Sequence, residues 1–391
     1  MEAQIQIPER LVLEGVPQVK FYDGGPRCPE DLCIPSVLRA LGEYFGEETF
    51  GCRTCRSMKP GCKINCSYSF FVGVTGVAAF LSYKKGWQDS NAAFYMSPDP
   101  EAPERWGFRA LGYPFHWLEK RPDAEAEQDR ERFLQAIIES LQKGKPVIAY
   151  GVVGPPEPAI ITGYDDGGEI LIGWSFFQSI PELSVGVEFE PSGYFRKRNW
   201  FEETHSLLLV GEKQERPPMK EIFTDALRWM VNVARMPVVR PEPDAPEWYR
   251  GRANGLAAYN AWQESLLCDE DFTSASQAAL RQLHEIHNSA VSQVAEARWY
   301  GSQFLIEAVN SDALHYHMAE DLLHAAACYA AEHDLMWKVW DLAGGNGNPE
   351  AWKFFADPAV RRQMVPVIQE ACRQDEMAIQ HIERALGKEK V

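Results

Sequence analysis

The chain has 391 residues, of which 45% are hydrophobic and 24% charged, a balance that provides a core and excludes wholesale disorder. At roughly 100 to 200 residues per domain, this length predicts two or three domains. Acidic residues outnumber basic ones by 56 to 39, and the net charge of −17 disfavours nucleic acid and anionic membranes as partners.

The sequence predicts neither a membrane helix nor a signal peptide. No stretch approaches the ~18 apolar residues of a membrane span, and residues 1–10 lack the basic-then-apolar layout of a secretory signal. The nine cysteines are an odd number in a long chain, which does not suggest a secreted disulfide scaffold. We therefore expect a cytoplasmic protein with reduced cysteines.

The first half of the chain alternates helix and strand patterns. Apolar residues follow Cys33 at helical spacing as far as Phe45, and Pro35 falls in the first turn, which predicts a helix that begins at Cys33. A second helix is predicted over residues 134–141, ended by Gly144. Apolar runs then predict strands at 146–150, 159–163, 170–174 and 206–210.

The second half is helical almost throughout. Residues 217–235 form one amphipathic pattern, and the four prolines of residues 237–246 indicate an extended linker. Further helices are predicted at about 256–266, 274–309, 313–334 and 367–386. The sequence thus predicts an α+β domain over residues 1–214, a helix and linker over 215–247, and an all-α domain over 248–391.

A cysteine at a helix start is a candidate nucleophile. The helix dipole and the first backbone N–H groups favour a thiolate at Cys33, and the same N–H groups could hold a developing oxyanion. The alternative is a small buried hydrophobic residue, since free cysteines are among the most buried side chains. Cys28 lies five residues earlier and could act as a resolving thiol or be a plain loop cysteine.

Four further cysteines lie within fifteen residues. Their spacing, C-x2-C-x6-C-x3-C, suits tetrahedral Zn²⁺ and less well an iron–sulfur cluster, and basic residues in the same loop complement the charge of four thiolates. A closed site of this kind would be structural. Reduced thiols or a disulfide pair are the alternatives. The candidate zinc ligands are Cys52, Cys55, Cys62 and Cys66.

The segment that begins at Cys33 carries a resemblance. Residues 33–46, Cys-Ile-Pro-Ser-Val-Leu-Arg-Ala-Leu-Gly-Glu-Tyr-Phe-Gly, resemble the nucleophile helix of papain-like, bacteriocin-leader-type peptidases, and residues 144–149 and 160–165 resemble core strands of that fold. Residues 71–76 and 255–262 resemble the butirosin biosynthesis protein H family, whose namesake moves an aminoacyl group from a carrier-protein thioester to an amine. The resemblance implies a papain-like domain, followed by a helical one, and acyl-transfer chemistry.

The chain departs from the peptidase pattern at three positions. The resemblance implies a catalytic His where this chain has Glu157, an orienting Asp near Trp174, and an oxyanion Gln at Arg27. Glu157 could bind a substrate amine or move a proton, or it could be a solvated loop residue. His205, which begins a later strand, could activate Cys33 or simply cap that strand beside two glutamates.

These features favour cysteine-dependent acyl or aminoacyl transfer on a small molecule or peptide, with an acyl carrier protein as a candidate partner. Cys33 would attack a thioester or amide, and Glu157 or His205 would handle the proton. A catalytically degenerate papain-like protein that binds a ligand beside a structural metal is the alternative. Redox or metal sensing through the four-cysteine loop is a third hypothesis.

Overall fold

The structure is a computed structural model that describes residues 8–19, 31–47, 66–87, 99–121, 125–236, 250–273, 275–311, 313–345 and 348–388. Within these ranges the chain is a mixed α+β protein that divides into two compact units. The first unit contains the described residues up to 47 together with Phe108–Pro217. The second contains the described residues of 50–107 together with those from Pro218 onward.

The strands follow one another in chain order as β1 Leu11–Val12, β2 Ser82–Lys84, β3 Phe115–Glu119, β4 Val147–Tyr150, β5 Pro158–Asp165, β6 Ile170–Trp174, β7 Val187–Phe189, β8 Phe195–Arg198, β9 Ser206–Val210 and β10 Arg252–Asn254. The helices are α1 Cys33–Tyr44, α2 Cys66–Val74, α3 Ala102–Leu111, α4 Ala126–Gln142, α5 Trp200–Glu203, α6 Met219–Ala234, α7 Leu256–Leu267, α8 Glu270–Thr273, α9 Gln277–Asn310, α10 Ala319–Leu342, α11 Ala351–Ala356 and α12 Pro358–Gly387. Short 3-10 turns lie at Val77–Ala79, Asp166–Gly168 and Tyr316–Met318.

An antiparallel sheet forms the centre of the first unit. Its strand order is β3-β9-β4-β5-β6-β8-β7, and β1 pairs with the far end of β5. All five residues of β6 are buried, as are seven of the eight in β5, so both faces of these strands are covered. Helices α1 and α4 pack against β5. Strands buried on both faces explain the continuous apolar runs in the sequence.

The segment of residues 8–19 runs along β5, from Asp165 at one end of the strand to Trp174 of β6 at the other. Arg10 forms ion pairs of 3.0 Å with both Asp165 and Glu190. The indole N–H of Trp174 donates to the carbonyl of Val16 at 2.9 Å. The hydroxyl of Tyr194 donates to the carbonyl of Leu13 at 3.1 Å. These bonds join the beginning of the described chain to β5, β6 and β8.

Long helices build the second unit. Helix α10 packs along both α9 and α12, and α2 packs against α9. Gly73 of α2 permits this close approach, because a Cβ atom there would lie only 2.1 Å from the Phe304 ring. Strands β2 and β10 form a short antiparallel pair in the same unit. Residues 66–87 thus join helices that come more than 130 positions later in the chain.

The division into units differs in one respect from the sequential order of domains expected from the sequence. The first unit ends at Pro217, close to the expected boundary at 214, but residues 66–87 and 99–107 group with the helical unit. The apolar surface of α2 is buried against α9 and α6. The proline-rich segment of residues 237–246 lies outside the described residues.

Most predicted elements are present with altered limits. The long helix expected over 274–309 runs over Gln277–Asn310, and the Ser276 hydroxyl caps it by accepting from the Ala279 N–H at 3.2 Å. The helix expected over 367–386 already begins at Pro358, so Pro366 lies inside it. Among the described residues, no helix is both long enough and apolar enough to cross a membrane.

Candidate active site

Cys33 is the first residue of α1. Leu32 precedes the helix with extended backbone dihedral angles, and its carbonyl accepts the first turn's bond from the Ser36 N–H at 3.2 Å. Pro35 needs no hydrogen-bond partner in a first turn, so it fits there without cost. The first turn carries no acidic side chain that would oppose an anion. Cys33 therefore stands at the positive end of a helix dipole, partly exposed.

The side chain that meets the Cys33 thiol is Glu157. Its carboxyl group accepts a hydrogen bond from the thiol, and the thiol also lies 3.7 Å from the Asp31 carbonyl oxygen. Glu157 keeps part of its surface exposed, yet its surroundings desolvate the carboxyl group. Burial raises the pKa of Glu157 above its usual range, and the bond from Cys33 opposes this in part. A carboxyl group of this kind can hold or give up a proton nearer to neutral pH than an ordinary glutamate.

The loop between β4 and β5 brings Glu157 to this place. Residues 151–157 read Gly-Val-Val-Gly-Pro-Pro-Glu, and both glycines adopt positive φ angles, +85° at Gly151 and +77° at Gly154. The Gly151 N–H donates to the Glu157 carbonyl oxygen at 3.3 Å, which closes the loop. Glu157 thus immediately precedes β5, the strand that α1 packs against.

His205 lies at the same end of the central strands as Glu157. Strands β5 and β9 both pair antiparallel with β4, so they run in the same direction, and Glu157 and His205 each directly precede their strand. Two strand spacings separate them, about 10 Å. The His205 N–H donates to the Tyr150 carbonyl at 2.8 Å, and the Lys120 N–H donates to the His205 carbonyl at 3.3 Å. The imidazole itself is exposed to solvent.

Gly151 directly follows β4, the strand that lies between β5 and β9, and its backbone lies against His205. A Cβ atom at this position would lie 2.7 Å from Cδ2 of His205 and 2.5 Å from the Glu203 carbonyl oxygen. Its positive φ angle also disfavours any other residue. Gly151 is a residue of this site that motif spacing does not predict, although the Gly-x-x-Gly-Pro-Pro sequence is a signal for an unusual turn.

The end of β6 holds Trp174 where the resemblance implies an orienting carboxylate. Its indole group is buried and is used by the bond to the Val16 carbonyl. The next side chain that carries an amide group is Gln178, whose Oε1 accepts from the Ser175 N–H at 2.9 Å and whose Nε2 donates to the Gly193 carbonyl at 3.0 Å. These groups therefore stabilise the loop of residues 175–193.

The predicted metal ligands are not part of this geometry. Cys52, Cys55 and Cys62 lie outside the described residues, and so does the side chain of Cys66, whose backbone begins α2. Within the described ranges, no three His, Cys, Asp or Glu side chains converge so that they could hold a metal ion. Of the cysteines in those ranges, Cys33, Cys268, Cys328 and Cys372 are not joined in disulfides. The zinc site therefore remains a prediction. Arg27 and Cys28 also lie outside the described residues.

Comparisons with known proteins add no assignment. Neither a protein-family model nor a curated protein sequence matches this chain.

Proposed function

We propose that the first unit is a papain-like domain whose Cys33 carries out acyl or aminoacyl transfer. The observation that carries this proposal is the contact between a thiol at a helix start and the desolvated carboxyl group of Glu157 at a strand start. The resemblance implies a histidine at this strand position. The carboxyl group would take the histidine's part in moving the proton.

The proposed reaction has two halves. Cys33 Sγ forms a bond to the carbonyl carbon of a thioester or amide, and its proton passes to Glu157. The bond from that carbon to the leaving group then breaks, and Glu157 returns the proton to the leaving group. An amine next attacks the acyl-enzyme, gives a proton to Glu157 and releases the Cys33 thiolate, which recovers the proton. Backbone N–H groups at the start of α1 would stabilise the oxyanion in both halves.

The test uses an aminoacyl thioester of a small thiol as donor and a primary amine as acceptor, with the acyl-enzyme followed by intact mass. We expect one added acyl group in the wild-type protein and none in Cys33→Ala. In Glu157→Gln, we expect product formation to fall by about 10²-fold to 10³-fold, because the proton carrier is lost. Cys268→Ala provides a matched control, since Cys268 is another free cysteine and lies in the second unit. Activity that survives Cys33→Ala would contradict the proposal.

A second candidate is ligand binding without chemistry. Trp174 stands where the resemblance implies an orienting carboxylate, and its indole group is already hydrogen-bonded to the Val16 carbonyl. Saturable binding of a peptide or small molecule that is unchanged in Cys33→Ser, together with the absence of an acyl-enzyme, would favour this alternative.

A further inference from the structure

The centre of the helical unit contains a fully buried cluster of charged and polar side chains. Arg298 of α9, Glu332 of α10, Asp375 of α12 and Tyr259 of α7 are each at most 1% exposed. They join four helices that are far apart in the sequence. We call these four residues the Arg298 cluster. The proposed function makes no use of them.

The guanidinium group of Arg298 uses all five of its hydrogens. Its Nε donates to Glu332 Oε2 at 3.1 Å. One Nη1 hydrogen points to the carbonyl oxygen of residue 78 at 2.9 Å and the other to that of residue 80 at 3.2 Å. Its Nη2 donates to Asp375 Oδ2 at 2.6 Å and to the Tyr259 hydroxyl oxygen at 3.2 Å. Arginine has no further hydrogens to share with the cluster.

The Tyr259 hydroxyl group therefore has too few hydrogens for its contacts with two carboxyl groups. Its oxygen is in hydrogen-bond contact with Glu332 Oε1 and lies 2.9 Å from Asp375 Oδ2. A phenol has a single hydrogen, which can serve only one of these two carboxyl oxygens. If both carboxyl groups were ionised, the second contact would place a lone pair of the Tyr259 oxygen against a negatively charged carboxylate oxygen, with no hydrogen between them. A proton on one carboxyl group supplies the missing donor.

The charges of the cluster require the same proton. One guanidinium and two carboxylates would leave a net charge of −1 without solvent, and an uncompensated buried charge is costly. Asp375 has the shorter ion pair with Arg298, 2.6 Å against 3.1 Å, so Asp375 is the better place for the remaining negative charge. Burial raises the pKa of Glu332 to about 8, in the direction that this geometry requires.

We infer that the folded protein binds one proton on Glu332 at neutral pH, which makes the Arg298 cluster a pH-sensitive lock between four helices. The proton lies on Glu332 Oε1 and is donated to Tyr259, whose own hydrogen is donated to Asp375. Above the pH at which Glu332 ionises, the cluster loses that bond and acquires a buried charge. The ionisable groups that face Glu332 are Arg298, Asp375, Tyr259, Tyr329, Cys328 and Cys372.

The sign of the resulting pH dependence follows from linkage. A carboxyl group whose folded pKa is raised holds its proton in the folded state and loses it on unfolding, once the pH exceeds the ordinary value near 4.5. Unfolding then releases a proton, so the unfolding constant rises about tenfold per pH unit until Glu332 ionises in the folded protein. This contribution to stability is therefore lost between about pH 5 and pH 8.

The test compares urea unfolding of the full-length wild-type protein and Glu332→Gln at a series of pH values, followed by helical circular dichroism. Glutamine keeps a donor for Tyr259 but cannot ionise. We expect the unfolding constant of the wild type, divided by that of the variant, to rise about tenfold per unit from pH 5.5 to 7.5. An ionised Glu332 paired with Arg298 would instead give a constant ratio, and that result would overturn the inference.

Glu370→Gln is the matched control, since Glu370 lies on the surface of α12. The hydrogen bond from Arg373 lowers the pKa of Glu370 to about 2. The unfolding constant of the wild type, divided by that of Glu370→Gln, should therefore stay constant above about pH 5. If Glu332→Gln does not fold, the second measurement is carbon-13 NMR of carboxyl-labelled glutamate in Glu157→Gln protein. One resonance that titrates near pH 8 is then expected, and the absence of any glutamate that titrates above pH 6 would overturn the inference.

Discussion

Replacement of Glu157 by glutamine should change the pH profile of Cys33 alkylation in a characteristic way. If Glu157 accepts the Cys33 proton as proposed, the thiol and the desolvated carboxyl group share one proton over a range of pH. Within that range, the fraction of thiolate depends on the division of the proton between the two groups and not on pH. We therefore expect a plateau in the alkylation rate, followed by a second rise at alkaline pH.

The second rise corresponds to the loss of the shared proton. The Cys33 thiolate and the Glu157 carboxylate are then both negatively charged and in contact. At about 4 Å and an effective dielectric constant of about 20, their repulsion is roughly 4 kcal/mol. Glu157 is partly exposed, so screening reduces this to roughly 1.4 to 2.8 kcal/mol, equivalent to one or two pH units. Glu157→Gln removes the repulsion together with the plateau. Its alkylation rate should follow a single ionisation without a plateau.

The assay is iodoacetamide labelling, quenched over time at a series of pH values and read by mass spectrometry. Trypsin releases residues 28–39 as one peptide that contains both Cys28 and Cys33, and its fragment ions distinguish the two thiols. Glu182→Gln is the control, because Glu182 is an exposed glutamate of the same unit. This reasoning would be refuted if the wild-type profile showed one ionisation well below pH ~8.5 and that ionisation shifted to higher pH in Glu157→Gln. Glu157 would then be a neutral donor that stabilises the thiolate.

The remaining predictions concern stability and metal content. Arg298→Met should lower the free energy of unfolding by about 3 to 5 kcal/mol, because it leaves Asp375 charged and unpaired, and Asp375→Asn in that background should restore part of the loss in urea unfolding. Lys388, His381 and Arg384 outweigh burial and lower the pKa of Asp321 to about 2. Asp321 should therefore contribute about 1 to 2 kcal/mol above pH 4 that is lost as the pH falls toward 2, and Asp321→Asn should remove this pH dependence of the unfolding midpoint. The purified chain should contain one zinc ion by elemental analysis and the double variant Cys52→Ser, Cys55→Ser none, whereas equal metal content in both would contradict the four-cysteine site.

Sequence periodicity predicted the elements whose burial is regular. Residues 170–174 are apolar at every position because β6 is buried on both faces, and the sequence pattern reflects that directly. The start of α12 was missed because proline normally ends or kinks a helix, yet Pro366 lies inside one. At that position, packing along α10 outweighs the lost backbone bond.

The membership of α2 in the helical unit could not be predicted from the order of elements. Residues 66–74 follow α1 closely, but nothing in their composition shows which apolar surface will cover them. Two contacts make α9 that surface: Gly73 accommodates the Phe304 ring, and the Tyr68 hydroxyl hydrogen-bonds to the Glu296 carboxyl. Both are contacts across more than 200 positions, and periodicity carries no information on such contacts.

Glu157 and Glu332 differ in how far the sequence could reveal them. Glu157 was a candidate because a motif with a known spacing gave its position a chemical role, and burial raises its pKa there. Glu332 lies in an ordinary stretch of helix, and only the convergence of four helices shows that Tyr259 lacks one hydrogen. A buried charge network is defined by its partners and not by its spacing along the chain. A buried proton of this kind is therefore revealed only where every hydrogen of the surrounding groups can be counted.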